Sequence, residues 1–281
     1  MVSAREKQQV EAANASGKTP AVFIHGLWLL AGSWRPWMDL FEQAGYAPVA
    51  VEWPDDPETV EQARAHPDVF AGKTVGQVAD HVSEVIGALS GKPVVVGHSF
   101  GGLFTQIAAG RGLSAASVAI DPAPFRGVLP LPVSALRSAM PVLANPLNRS
   151  RAVSLTFAQF RYGWANALPE KEARELHETL HVPGPGAPLF QAAFANLDPW
   201  TQVKVDTRNP TRGPLLVVSG GSDHTVPTAI AKASFDKQKR NPGPTEFTEV
   251  PERGHSLTID SGWREVADRA LEFLKRFAAP A

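Results

Sequence analysis

The chain contains no cysteine, which excludes disulfides, thiolate metal sites and a cysteine nucleophile together. It also lacks an excess of either charge, with 27 Lys and Arg against 28 Asp and Glu and a formal net charge of -1. Without a basic field, the broad attraction that phosphate backbones and anionic membranes rely on is missing, so nucleic acid is not expected as a partner. The densest basic group, Lys237, Lys239 and Arg240, reads as solvated surface. No uninterrupted apolar run approaches the roughly 20 residues that span a bilayer, and no membrane insertion is expected. The stretch 1–18 is polar and charged with no apolar segment, unlike a secretory signal, so a cytoplasmic location is the expectation. The sequons at Asn14 and Asn148 then carry no meaning. No G-x-G-x-x-G follows an apolar run. The tripeptides Gly17-Lys18-Thr19 and Gly72-Lys73-Thr74 have Ala12 and Pro67 where a phosphate-binding loop needs its first glycine. No cofactor is expected.

What is present is an alternation of short apolar runs with amphipathic stretches, the pattern of strands feeding helices in a largely parallel sheet. Residues 21–25, 47–53, 93–97, 117–121, 214–219 and 245–250 read as strands, and 33–45, 74–90, 103–109, 169–181, 229–237 and 263–277 as helices. After Asp121 the rhythm breaks, because Pro122, Pro124, Pro130, Pro132, Pro141 and Pro146 do not suit the interior of regular helices or central strands. An aromatic series follows: Phe157, Phe160, Tyr162, Trp164, Phe190, Phe194 and Trp200. The expected organisation is an α/β core in two parts, 1–121 and 207–281, around an inserted, mainly helical cap at 122–206. At 281 residues, one elaborated domain fits better than two equal ones.

The chemistry gathers at strand ends. Gly97-His98-Ser99-Phe100-Gly101 matches G-x-S-x-G, and it lies between an apolar run and a predicted helix, where a serine on a sharp strand-to-helix turn needs small neighbours. A serine hydroxyl is a poor nucleophile without a base, and the base needs an orienting acid. His255 follows the last predicted strand, and Asp223 lies in the Gly220-Gly221-Ser222-Asp223 loop after the preceding one. Asp121, at the end of its own strand, is the alternative acid. The chain order Ser99, Asp223, His255 is the serine, acid, histidine order of this architecture. The backbone N–H of Phe100 is the first candidate donor to a tetrahedral oxyanion, and that of Leu27, after the His25-Gly26 turn, is the second. His25 itself reads as bonding within its turn.

Together the His25-Gly26 turn, the Ser99 elbow, Asp223 and His255 resemble the α/β-hydrolase superfamily, across both halves of the core. The resemblance implies a mostly parallel sheet of eight strands or fewer, with helices on both faces and a helical lid where the insertion falls. The resemblance does not supply a substrate; it is the set of nucleophile, base, acid and oxyanion donors that points to a serine hydrolase acting on a carboxylic ester or related acyl bond. Lactone, carbon–carbon bond and haloperoxidase chemistry are alternatives within the same superfamily. Serine at position 99 argues against its epoxide hydrolases and dehalogenases, which use aspartate there. Trp28, beside the oxyanion turn, is a candidate substrate contact, and the substrate is expected to be a small, largely apolar molecule. The sequence leaves the oligomeric state open.

Two rival readings come from other classes. His177-Glu178-Thr179-Leu180-His181 spells H-E-x-x-H, which on a helix sets two imidazoles on one face for zinc. Ala187 stands where a third ligand would fall and Pro183 ends the helix, so no metal site is expected. A hydrolase fold kept as a small-molecule receptor is the other rival.

Overall fold

The computed structural model describes residues 1–280. Helix α1 (Ala4–Ser16) precedes β1 (Pro20–Ile24), α2 (Arg35–Gln43), β2 (Ala47–Val51), α3 (Val60–Ala65), α4 (Val75–Gly87), β3 (Val94–His98), α5 (Phe100–Gly110) and β4 (Ala116–Ile120). The insertion carries α6 (Val133–Leu143), β5 (Ala152–Val153), α7 (Phe157–Gly163), α8 (Glu170–Thr179), β6 (Gly184–Pro185) and α9 (Ala187–Phe194). The core resumes with β7 (Leu215–Gly220), α10 (Thr228–Gln238), β8 (Thr245–Val250) and α11 (Trp263–Phe277).

β1, β3 and β4 are buried at every position, as expected of parallel strands covered on both faces, which read as continuous apolar runs. They belong to a six-stranded sheet in the order β2-β1-β3-β4-β7-β8, parallel throughout. One face packs against α2 and α11, where Trp34, Trp37, Phe41, Val266 and Leu274 meet Phe23, Val96 and Val118. On the other face Val78, Val82, Leu103 and Phe104 of α4 and α5 meet Val22, Ile24 and Val95. That second core runs on without a break into Leu155, Phe160, Trp164 and Leu176 of the insertion. Each such large apolar side chain contributes about 1.5–3 kcal/mol when buried, so the insertion is bonded to the core by the same packing that holds the helices.

The strand order reverses between β1 and β3, and the crevice beyond their carboxyl ends is where open α/β sheets bind ligands. The His25-Gly26 turn leaves β1 and Ser99 leaves β3, so the topology brings both to that crevice.

The structure adds one helix and corrects one expectation. The polar N-terminal stretch forms α1, opened by a capping box between Ser3 and Glu6 and ended by Gly17 at φ 66°. Its few buried positions, Glu6, Val10 and Ala13, cover edge strand β2. Pro141 lies inside α6 instead of interrupting it. It sits near the helix end, where one rung is lost and Ala144 N–H still closes the final turn on Met140 O (3.0 Å). Pro132 is the N-cap of the same helix and Pro146 opens a 3₁₀ turn, positions that tolerate a missing N–H. Among the described residues no helix is long and apolar enough to cross a membrane.

Candidate active site

Ser99 adopts φ 57° and ψ -119°, a backbone region that L residues enter only when their surroundings impose it. Its N–H donates to Ile120 O (2.9 Å), and its carbonyl accepts from Leu103 N (3.1 Å) and Ala123 N (2.9 Å). A Cβ on Gly97 would strike the Gly101 backbone and Thr105, and one on Gly101 would strike the carbonyl of Ile24. The two flanking glycines of the motif are therefore steric requirements of the turn.

His255 and Asp223 arrive from the ends of β8 and β7 and are brought together, with His255 Nδ1 donating to Asp223 Oδ2 at 2.6 Å, both side chains fully buried. Asp223 Oδ1 accepts from Thr225 N (2.6 Å) and Val226 N (2.9 Å), so three donors stabilise its charge. With the proton held on Nδ1, Nε2 keeps its lone pair. It has no hydrogen-bond partner among the described residues, and Ser99 Oγ is not bonded to it. Such catalytic bonds commonly tighten only around a substrate.

Asp121 stands beside this pair. Its Oδ1 accepts from Gly220 N (2.7 Å), its Oδ2 is unpartnered, and burial together with the negative charge of Asp223 pushes its carboxyl well above the usual range. Of the two candidate acids, it is Asp223 that holds the imidazole of His255.

His98, between Gly97 and Ser99, is buried with neither ring nitrogen partnered. Burial and the neighbouring His255 hold its pKa well below the histidine range. Its ring centroid lies 4.6 Å from that of His255. His98, Asp121 and His255 place ligand atoms within 4.8 Å of one another, but as part of this same buried cluster. Trp164 presents its ring edge-on to His255 at 4.6 Å, and its carbonyl accepts from Ser256 N (3.0 Å). The insertion thus supports the histidine. Sequence reasoning gave Trp164 no role, since only an undifferentiated aromatic series marked it.

The N–H of Phe100, at the start of α5, and that of Leu27 have no backbone acceptor among the described residues. A Cβ on Gly26 would lie 2.8 Å from Ser99 Cβ and 3.4 Å from its Oγ, so the His25-Gly26 turn presses directly on the serine. Trp28 follows at φ 65°. Its Nε1 donates to Val153 O (2.9 Å) and its carbonyl accepts from Val182 N (3.0 Å), so it fastens the core loop to β5 and to the chain before β6 while also lining the cavity.

That cavity, of about 220 Å³, reaches Ser99, Leu27 and Phe100 and is walled by Leu136, Ala139, Leu189 and Ala192 of the insertion and Val226 and Ile230 of the core. Among the described residues no charged side chain lines it. Its polar side chains other than Ser99 are already engaged: Ser138 donates to His224 O, Thr225 to Gly163 O, and Asn196 accepts from Gly127 N and donates to Val128 O.

The H-E-x-x-H histidines lie elsewhere, on α8 and just after it. His177 Nε2 donates to Leu155 O (3.0 Å) and His181 Nε2 accepts from Leu155 N (3.1 Å), with the rings stacked at 4.8 Å. Burial, with the charges of His177 and Arg64, lowers His181 to a pKa of about 3. The pair serves to hold one backbone residue at both ends.

The alpha/beta hydrolase family model matches residues 21–269, and the chain belongs to that family. Comparison with curated proteins gives no match. Among solved structures, the chain is similar to a monoacylglycerol lipase of Paleococcus ferrophilus, at TM-score 0.64 and 19% identity, covering 93% of this chain and 98% of that one. A polyneuridine aldehyde esterase gives TM-score 0.64 and 20% identity, covering 91% and 98%. A pyrethroid hydrolase of Sphingobium faniae JZ-2 gives 0.62 and 16%, covering 91% and 96%. At these identities the likeness is one of fold.

Proposed function

We propose that the protein is a serine hydrolase that cleaves a carboxylic ester, or a related acyl bond, of a small and largely apolar molecule. The observation that carries this is the His255–Asp223 pair, whose Nε2 lone pair is free, in the same site as a strained Ser99 at the floor of a cavity without charge. The ester-cleaving names of the similar structures support it.

In this reading His255 Nε2 takes the Ser99 hydroxyl proton as Oγ attacks the carbonyl carbon, and the Asp223 carboxylate stabilises the imidazolium. The Leu27 and Phe100 N–H groups bind the developing oxyanion. Collapse expels the alcohol, which leaves with the proton from His255, and water then repeats the sequence on the acyl-enzyme to release the acid. No metal or cofactor is needed for these steps. Because the cavity's other polar groups are engaged, a charge on the substrate would be buried there without a partner, which disfavours charged acyl chains. The cavity is below the roughly 300–1,000 Å³ typical of ligand pockets, which fits a small substrate.

A fluorophosphonate probe should label Ser99 covalently, and folded protein that stays unlabelled overturns the proposal. Ser99→Ala and His255→Ala should each cost roughly 10⁴-fold or more in kcat on a panel of esters and lactones, and the double variant little more, because the residues act as a unit.

A further inference from the structure

The Gly26 carbonyl and the Leu27 N–H are the two ends of one planar peptide group, so whatever fixes the carbonyl aims the N–H. The carbonyl is fixed. His25 Nδ1 donates to Gly26 O at 2.8 Å. At the far side of the ring, Nε2 lies 3.1 Å from Asp56 Oδ2, a close contact without hydrogen-bond geometry, and Asp56 Oδ1 lies 3.5 Å from Lys73 Nζ. All three side chains are buried. Trp53 completes the clamp: its indole stacks on the imidazole at 5.8 Å, its Nε1 donates to His25 O (3.2 Å), and its N–H donates to Asp56 Oδ2 (3.1 Å).

Packing alone does not account for this row. Burying a carboxylate and an ammonium costs free energy that their mutual attraction barely offsets, and apolar side chains of similar volume would serve stability as well or better. Burial does pull the Lys73 ammonium below its ordinary range, against the opposing influence of Asp56. The row begins at Lys73, within Gly72-Lys73-Thr74, and ends on the peptide that faces Ser99.

We propose that Asp56 and Lys73 are positioning residues for the oxyanion hole: acting through His25, they hold the Gly26–Leu27 peptide with its N–H aimed at the carbonyl oxygen of the substrate. The proposal rests on the acyl-transfer reading above. None of the three touches the reacting atoms, so their removal acts on the geometry of one donor and leaves Ser99, His255 and Asp223 in place.

The test uses the full chain in an ester assay, together with the affinity for a trifluoromethyl ketone, whose adduct with Ser99 sets an oxyanion in the hole. Loss of a whole oxyanion donor costs about 10²- to 10³-fold in kcat, so misaiming it through Asp56→Asn should cost about 10-fold or more. KM should stay within about 2-fold, and ketone affinity should fall by the same factor as kcat. Lys73→Met should move both in the same direction and by less. His25→Asn sets an amide nitrogen near the position of Nδ1, whereas His25→Gln sets one near Nε2, so the Asn variant should retain more activity than the Gln variant. The proposal is overturned if Asp56→Asn and Lys73→Met leave kcat and ketone affinity within about 2-fold of wild type. It is also overturned if the losses appear in KM alone, or if His25→Gln equals or exceeds His25→Asn. Should Asp56→Asn fail to fold, Lys73→Met and the two His25 variants, checked for a native melting profile, decide the matter together, and Lys73→Met within about 2-fold of wild type in kcat and ketone affinity then overturns the proposal. Wild-type protein that neither turns over esters nor binds the ketone overturns the acyl-transfer reading itself, a different result from any of these.

Discussion

At the scale of single residues, burial, together with the charge of Asp223, raises the carboxyl of Asp121 above its ordinary value. Asp223 receives three donors, including the His255 imidazole, while Asp121 receives one from Gly220 and faces the charge of Asp223. The folded chain therefore binds a proton at Asp121 more tightly than the unfolded chain does. Stability from this group is complete below the ordinary value of 3.8 and is lost as pH rises toward the raised folded value. Asp121→Asn keeps an acceptor for Gly220 N–H and removes that loss. The stability of the Asn variant relative to wild type should accordingly grow with pH above 4, by about 1.4 kcal/mol per unit until the folded carboxyl ionises. Urea denaturation across a pH series measures it, and a difference that stays flat refutes it. The positions of Ser99 and Asp223 were legible in the sequence because each follows an apolar run, and that of His255 because it follows the last strand, Thr245–Val250, although that strand is mixed in polarity; in a parallel sheet every such end opens on the same edge. Trp164, His25, Asp56 and Lys73 were not legible as a group, since their contacts join segments far apart in the chain and no local pattern encodes them.

Elements show where local pattern suffices and where it fails. Strands buried on both faces announce themselves, and the six core strands fell within a few residues of their expected places. Helix α1 was hidden because its covering face is partly polar: Glu6 and Gln9 do there what apolar residues do elsewhere. Helices α6 and α9 were hidden by their own prolines, which mark helix starts as readily as breaks. The turn after β1 is the element on which the proposed chemistry depends most. Gly26→Ala would drive a methyl group to 2.8 Å from Ser99 Cβ and 3.0 Å from His98 O, and the turn must then retreat. The expected result is a loss of about 10²-fold or more in kcat with the fold retained. Unchanged kcat in a variant of native melting profile would show that the turn supplies no donor.

For the molecule as a whole, the decisive feature is that one cavity has walls from both the core and the insertion. Ala192→Phe, on the insertion side, should fill part of the 220 Å³ and shorten the acyl or alcohol chain accepted. Acetyl esters should be spared while longer esters lose activity, and equal losses across the panel would place binding outside the cavity. A second whole-molecule feature lies at the opposite border of the sheet. Along β2 and just past it, Ala50 N–H donates to Gln9 Oε1 (2.9 Å) and Glu52 N–H to Glu6 Oε1 (3.0 Å), alternate residues of an edge that would otherwise pair with another strand. Helix α1 offers a row of side-chain oxygens where a neighbouring strand would offer carbonyls. Deletion of residues 1–17 should uncover that row of donors, and light scattering should register self-association that the full chain does not show. Growth of the sheet on this side thus meets a helix that imitates a strand, with the outward N–H groups of Ala50 and Glu52 already taken and no free row left there on which a ribbon of copies could start.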